Sequence, residues 1–438
     1  MFSLVRQLKE TTLALRLLCL LCRRRLGHAR LRGDTKWLAD HKALYAIERR
    51  VLAHLDAKST WGLDASTPPA MRRAYDVLRE ALAWLIENGP GEDRRFFNRK
   101  LNHLEKTAKA ERLLSYPVRA YYETTNRCNL RCPMCGQSFF KGERGDMPRE
   151  ALARLSPLFQ WFDELSIFGY GETLLIDHLG ELLDAIPPHP ASRLVTNGIL
   201  LKPEMSRLLV DKGLKILFIS IDAVEAATYK AIRGVDKFEE VKANIRDLAA
   251  YRSQKGARYP ELTLTFVAMK RNVAQLAEFV RMAKSLGVEN VIADYLTVFS
   301  EDMREQSLFY HQELSDRCVA QAVAAARDIG IAFTPPATFS APAGAASRRR
   351  CYEPWEFVYF RSDGAIQPCC TNSDVAASWR DGGFRDAWNS PAYHELRRTI
   401  GTPAEPGWCR DCVHVSHRDI RLESAHVHIM PESKNELP

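Results

Sequence analysis

The spacing of apolar residues divides the chain into three stretches. Up to about residue 113 it is helical. Leu38, Leu44, Ile47, Val51, Leu52 and Leu55 fit one amphipathic helix, and Met71, Tyr75, Leu78, Leu82, Leu85 and Ile86 fit a second. Thr67-Pro68 opens the second as an N-cap and a first-turn proline would. A more charged helix is expected over 94–113. From Pro117 short apolar runs alternate with amphipathic segments. The runs predict strands over 118–124, 164–168, 193–196, 214–220, 262–268 and 290–294, with helices between them, including 150–159 and 236–251. Six strands with helical crossovers imply parallel pairing and right-handed connections, hence an α/β fold, a complete or partial barrel. In such barrels the chemistry sits at the C-terminal ends of strands. A helix over 306–330 follows, then an Ala/Pro/Ser-rich segment over 335–350 that reads as a linker or a substrate-facing loop. In the last hundred residues Ser362-Asp363-Gly364 reads as a hairpin turn between strands over 356–361 and 365–367.

Composition changes this picture little. The chain has 438 residues, 46% hydrophobic and 26% charged, which suits two or three globular domains. Charge is more informative. The net +8 is concentrated in residues 1–33, which hold eight Lys or Arg and one Glu. One basic arm, rather than a nucleic-acid-binding surface, is implied. Residues 4–32 read as a helix with an apolar run from Leu13 to Cys22, about half of what spans a bilayer, ended by Arg23-Arg24-Arg25. Three arginines do not make a signal-peptide cleavage site. This helix either lies on an anionic membrane surface or packs into the N-terminal domain. Its Cys19 and Cys22 read as core residues.

Nine of the eleven cysteines fall in tight local groups, which points to metal rather than disulfides and to a reducing, cytoplasmic compartment. Cys128, Cys132 and Cys135 form a C-x3-C-x2-C just after the first strand, with no histidine nearby. Structural zinc takes four ligands, whereas three thiolates on a four-iron cluster leave one iron open. This spacing resembles that of the radical S-adenosylmethionine (radical SAM) family. The resemblance implies a 4Fe-4S cluster that binds SAM at the open iron and a partial (β/α)6 barrel. Other motifs agree with it. Phe168-Gly169-Tyr170-Gly171-Glu172-Thr173 follows the second strand and resembles the family's Gly-Gly-Glu motif, with Tyr170 inserted and Thr173 in place of proline. Gly169, Gly171 and Glu172 are thereby implied at the SAM amino group. Ser220 at the end of the fourth strand and the later Arg233 match positions that approach SAM, Arg233 through its carboxylate. Met134 occupies the adenine-contacting position. Thr196-Asn197-Gly198 reads as an ordinary turn.

The C-terminal region presents Cys351, then Cys369-Cys370, then Cys409 and Cys412, together with Pro354-Trp355, Asp363-Gly364 and Trp388-Asn389. On ligand count alone a four-thiolate pocket suits zinc or an iron–sulfur cluster. The order of these elements resembles the SPASM/twitch extension of radical SAM enzymes. That implies a second, auxiliary 4Fe-4S cluster on Cys351, Cys369, Cys409 and Cys412, with Cys370 structural and His414 and His417 as spare ligands. Cys318, in the helix over 306–330, reads as a buried helix cysteine; some relatives use a lone cysteine as a hydrogen-atom donor.

The expected organisation is an all-α region (1–114), a radical SAM barrel (115–335) and a small α+β cluster-binding domain (336–438). The resemblance implies an oxidoreductase or maturase that abstracts a hydrogen atom from a peptide or small natural product. It also implies a reducing partner such as flavodoxin or ferredoxin. The absence of an evident winged-helix leader-binding domain weighs mildly against a peptide. The alternatives are an epimerase with Cys318 as hydrogen donor and a non-enzymatic iron–sulfur electron carrier. The Gly169–Glu172 motif argues against the carrier, which needs no SAM pocket.

Overall fold

The computed structural model describes residues 46, 48–57, 61–89, 91–139, 143–340, 350–370, 377–410 and 412. The expected basic helix with Cys19 and Cys22, most of the 335–350 segment, and His414 and His417 lie outside the described residues. The chain divides into two compact units. One draws on Met1–Arg119, Cys351–Val358 and Asp381–Pro406; the other draws on Ala120–Arg350, Tyr359–Arg380 and Gly407–Pro438. No helix among the described residues is long and apolar enough to cross a membrane.

In the first unit, helices Pro69–Asn88 and Gly91–Thr107 pack on each other. The apolar stripe of the first, including Tyr75, Leu78, Leu82, Leu85 and Ile86, is buried as its spacing predicts. The helix starts at Pro69, one residue later than expected. Thr67 belongs to the preceding turn, where its hydroxyl accepts the Asp64 N–H at 3.1 Å, so Pro68 stands at the cap. Arg397, on helix Pro391–Thr399, is fully buried in this unit. Its guanidinium lies over the Trp388 and Tyr393 rings and donates to the carbonyls of Pro354 (2.9 Å) and Glu111 (3.1 Å).

The second unit is built on the sheet. Its strands are β1 (Arg119–Tyr122), β2 (Glu164–Ile167), β3 (Ala191–Thr196), β4 (Ile216–Ser220), β5 (Glu261–Ala268), β6 (Asn290–Tyr295), β7 (Ala332–Thr334), β8 (Phe357–Phe360), β9 (Ala365–Gln367) and β10 (Ala377–Ser378). They run in the order β10-β9-β8-β1-β2-β3-β4-β5-β6-β7. From β2 to β7 every neighbouring pair is parallel. The order is linear, with β10 and β7 at its edges, so the fold is the partial α/β barrel expected from the sequence. The C-terminal hairpin also forms as expected, with β8 and β9 antiparallel and Gly364 at φ +100° in the turn. It does not form a sheet of its own: β8 lies beside β1.

Alternation decides what each strand shows to each face. Leu262, Leu264, Phe266 and Ala268 of β5 and Val291 and Ala293 of β6 are buried. Phe266 meets Phe279 of helix Leu276–Ser285 with ring centroids 4.8 Å apart. On the opposite face Thr265 and Val267 are half-buried and Asp294 is exposed. Chain leaving the C-terminal ends of β1, β2, β3 and β4 carries every motif singled out from Cys128 to Arg233.

Candidate functional site

The three-cysteine loop leaves the end of β1 and is held by side chains that flank it. Asn126 is buried; its Nδ2 donates to the Glu143 carbonyl (2.9 Å) and its Oδ1 accepts the Gly145 N–H (2.7 Å). Gln137 donates to the Asn126 carbonyl at 3.0 Å, and the Thr125 hydroxyl donates to Asp146 Oδ1 at 2.6 Å. Within the loop, the Cys135 N–H donates to the Cys132 carbonyl (3.0 Å) and the Leu130 N–H to Cys128 Sγ (3.4 Å). An N–H aimed at a sulfur favours the thiolate that a cluster requires.

The thiols fit such a group by type and grouping. All three are free of disulfides, and Cys128 lies in the electric field of Cys132 and Cys135. Burial pushes the Cys128 thiol up to about 11 and raises that of Cys132. Cys128 Sγ faces the adjacent Asn129 Oδ1 at 3.9 Å, and Cys132 Sγ faces the distant Arg233 carbonyl at 3.8 Å. Among the described residues no group of three His, Cys, Asp or Glu side chains stands at metal-binding spacing.

The Gly169–Glu172 loop lies directly on the cysteine loop. A Cβ on Gly171 would meet the carbonyl oxygens of Thr125 and Arg127 at 2.3 and 2.4 Å, and one on Gly169 would meet the Glu123 side chain at 2.4 Å. The sequence suggested that these glycines admit a ligand; here they admit the loop itself. The Glu172 N–H donates to the Arg127 carbonyl at 2.8 Å. Its buried carboxylate accepts from Thr196 Oγ1 (2.6 Å), the Asn197 N–H (2.8 Å) and the Leu174 N–H (3.2 Å). Burial raises its pKa and those bonds oppose the rise. The Asn197 side chain also donates to Asn129 Oδ1 of the cysteine loop at 2.8 Å. Thr196-Asn197 is thus more than a turn: it fixes Glu172. Asn-Gly after a strand is too common a turn for sequence to have revealed this.

Arg233 is buried and pairs with Asp222, which is itself fully buried. Asp222 takes φ +65°, and its Oδ1 accepts the Val267 N–H at 2.8 Å. Sequence reading assigned Asp222 no role. Ser220 Oγ accepts the Thr265 hydroxyl at 2.9 Å. Met134 packs against a buried apolar cluster of Ile232, Met269, Leu296, Val298 and Met303. Cys318 lies on the buried face of helix Gln312–Ile329 with Ser315, Val319 and Ala322, and that helix packs on helix Leu276–Ser285. Burial raises its thiol pKa as well.

The C-terminal cysteines come from separate segments. Cys351 falls in the first unit; Cys369, Cys370, Cys409 and Cys412 fall in the second. Cys409 is buried, Cys369 and Cys412 are half-buried, and Cys370 is exposed. The Cys412 N–H donates to the Cys409 carbonyl at 3.3 Å, closing a local turn.

Comparison with known proteins agrees with both regions. The radical SAM superfamily model matches residues 122–283, and that of the SPASM iron–sulfur cluster-binding domain matches 351–413. Over 180 residues, 40% of the chain, the sequence is 29% identical to the tungsten-containing aldehyde ferredoxin oxidoreductase cofactor-modifying protein of Pyrococcus furiosus. The chain spans about half the length of that relative, 51%. It is 28% identical over 319 residues to the PqqA peptide cyclase of Gluconobacter oxydans, covering 68% of this chain and 84% of that protein. In fold it is similar to Streptococcus suis SuiB bound to precursor peptide SuiA, with a TM-score of 0.53 at 16% identity over 82% of this chain and 80% of SuiB. The chain belongs to the radical SAM superfamily, with a C-terminal SPASM domain, and its cofactors are a SAM-binding 4Fe-4S cluster, SAM and auxiliary iron–sulfur.

Proposed function

We propose that this enzyme modifies a peptide by radical chemistry and leaves it oxidised by two hydrogens. The observation that carries the reading is the union of two loops. The three-thiol loop and the Gly169–Glu172 loop are joined at the C-terminal ends of β1 and β2 by the Glu172 N–H donating to the Arg127 carbonyl at 2.8 Å. Similarity to the PqqA peptide cyclase and to SuiB, solved with precursor peptide SuiA, favours a peptide as substrate.

Cys128, Cys132 and Cys135 hold the SAM-binding cluster in this reading. Bound SAM and the reduced cluster supply a 5′-deoxyadenosyl radical. Glu172 receives the SAM ammonium: a carboxylate has about four acceptor sites, and three protein donors occupy three of them. Gly169 and Gly171 keep that loop seated. Arg233 receives the SAM carboxylate, since a guanidinium paired with Asp222 still has donors to offer. Ser220 would approach SAM from the end of β4, and Met134 would contact its adenine. Cys351, Cys369, Cys409 and Cys412 hold one auxiliary 4Fe-4S cluster, which is an expectation from their order and from the match over 351–413.

The balance is simple. One hydrogen atom would leave the substrate carbon for the 5′-deoxyadenosyl radical, which becomes 5′-deoxyadenosine, one proton would leave for solvent, and the auxiliary cluster held by the C-terminal cysteines would take the remaining electron. A flavodoxin or ferredoxin would supply the starting electron, and the need for reduced thiolates supports a reducing, cytoplasmic compartment. Cys318 sits on a buried helix face, which supports oxidation over epimerisation.

The test uses short precursor peptides encoded beside the gene, with SAM and dithionite, in ordinary and heavy water. Loss of two hydrogens with one 5′-deoxyadenosine per product is expected. Deuterium uptake without oxidation would establish the epimerase instead. Iron–sulfur signals without any SAM cleavage would establish the electron carrier.

A further inference from the structure

Glu123 is the residue that no motif claimed. It follows β1, is 1% exposed, and has no ion pair among the described residues. Oε1 accepts the Tyr170 N–H and the Tyr359 hydroxyl, each at 3.0 Å. Oε2 accepts the Ser362 N–H at 3.0 Å and the Ser362 hydroxyl at 2.8 Å. All the acceptor capacity of one carboxylate is thereby occupied. Its backbone N–H donates to the Phe360 carbonyl at 2.9 Å.

These donors come from two segments, and Glu123 opens a third. Glu123 leads into the loop of Cys128, Cys132 and Cys135. Tyr170 lies between Gly169 and Gly171, ahead of Glu172. Tyr359 and Ser362 belong to the β8–β9 hairpin, which leads into Cys369. Gly169 has no side chain where Glu123 passes, and a Cβ there would sit 2.4 Å from Glu123 Cγ. Tyr121, Phe168 and Tyr359 pack edge-on around the same point, with centroids 5.3 and 5.9 Å apart. The Tyr170 phenol lies in the electric fields of Arg361 and Glu123 and, more weakly, of Cys370 and Cys135. A buried carboxylate holding four donors is a rigid joint, because any movement that breaks a bond leaves a desolvated charge.

We propose that Glu123 is a positioning residue that locks the cysteine loop, the Gly169–Glu172 loop and the Cys369-bearing hairpin into one frame. It thereby sets both the SAM site and the separation of the two cluster regions. The proposal rests on the reading that both cysteine regions carry clusters. The tyrosine that interrupts the glycine pair has a reason in this account: its backbone N–H supplies one of the four bonds.

The test needs only SAM, dithionite and the full-length reconstituted protein. Glu123→Gln keeps the shape but turns an NH2 toward one pair of donors. With no peptide present, the KM for SAM in 5′-deoxyadenosine formation should rise about tenfold while kcat changes less than about threefold. Iron content should hold, and the magnetic interaction between the reduced clusters should change in the EPR spectrum. Tyr359→Phe and Ser362→Ala each remove one bond and should raise KM about threefold. If Glu123→Gln does not fold, these two carry the test. Val280→Ala, in an outer helix, supplies a destabilised control that should keep the wild-type KM. Wild-type KM and unchanged cluster interaction in the variants would overturn the proposal. Wild-type protein without two clusters would instead overturn the reading it rests on.

Discussion

The two cysteine regions are assembled in different ways. Cys128, Cys132 and Cys135 share one loop, fastened by Asn126, Thr125 and Gln137 to residues 143–146 and their surroundings. The C-terminal thiols stand on separate segments: Cys351 before β8, Cys369 just after β9, and Cys409 and Cys412 in one late turn. The first site is pre-organised by local hydrogen bonds. The second draws its thiols from segments far apart in the chain, and a metal held by such segments would contribute to folding stability. Losing a ligand should therefore have different consequences in each.

The largest effect should come from the ligands. Two four-iron clusters hold about eight irons per chain. Cys369→Ala or Cys409→Ala should lower this to about four, lower the melting temperature, and leave peptide-free SAM cleavage intact while product formation stops. Cys132→Ala should also leave about four irons, with SAM cleavage lost and the melting temperature changed less. Iron assay and thermal melts on the same preparations check both. Zinc in place of the missing iron in wild-type protein would refute the auxiliary cluster and leave the first site standing.

Gly171→Ala should come next. The added methyl group has to displace two carbonyl oxygens of the cysteine loop. A displacement near 1 Å at a reacting centre costs about 100-fold, so SAM cleavage should fall by about that factor with iron content retained. Steady-state rates beside an iron assay decide this. Wild-type rates would mean that the loop yields freely.

Asn126→Ala should have the smallest effect. It removes two buried side-chain bonds, at 2.9 and 2.7 Å, worth about 2–4 kcal/mol together. Denaturant unfolding should register that loss, and cluster reconstitution should become slower without being abolished. If reconstitution kept its rate, pre-organisation would not distinguish the first site from the second.

Most of the fold could be read from the sequence because period and punctuation agreed. Each of the six predicted strands overlaps one of β1–β6, and Ser362-Asp363-Gly364 turns the hairpin as expected. What could not be read depends on long-range contacts. That β8 would lie beside β1 has no local signal. Pro69 rather than Pro68 starts its helix because Thr67 is engaged by Asp64. In the site, the grouping of the three cysteines was legible from spacing, while Gly169–Glu172 and Arg233 were singled out through resemblance to the radical SAM family. Glu123, Asp222 and Thr196-Asn197 were not, because each acts by holding another residue. Their meaning lies in partners 11 to 239 positions away along the chain.

The central claim is that the C-x3-C-x2-C loop carries a cluster that cleaves SAM. The direct measurement is 5′-deoxyadenosine release from anaerobically reconstituted protein given SAM and dithionite. The wild-type chain is compared with a triple variant carrying Cys128→Ala, Cys132→Ala and Cys135→Ala. The account predicts release from wild type and none from the variant, whose C-terminal cysteines remain intact. Release from the triple variant, or none from wild type holding its full iron, would contradict it.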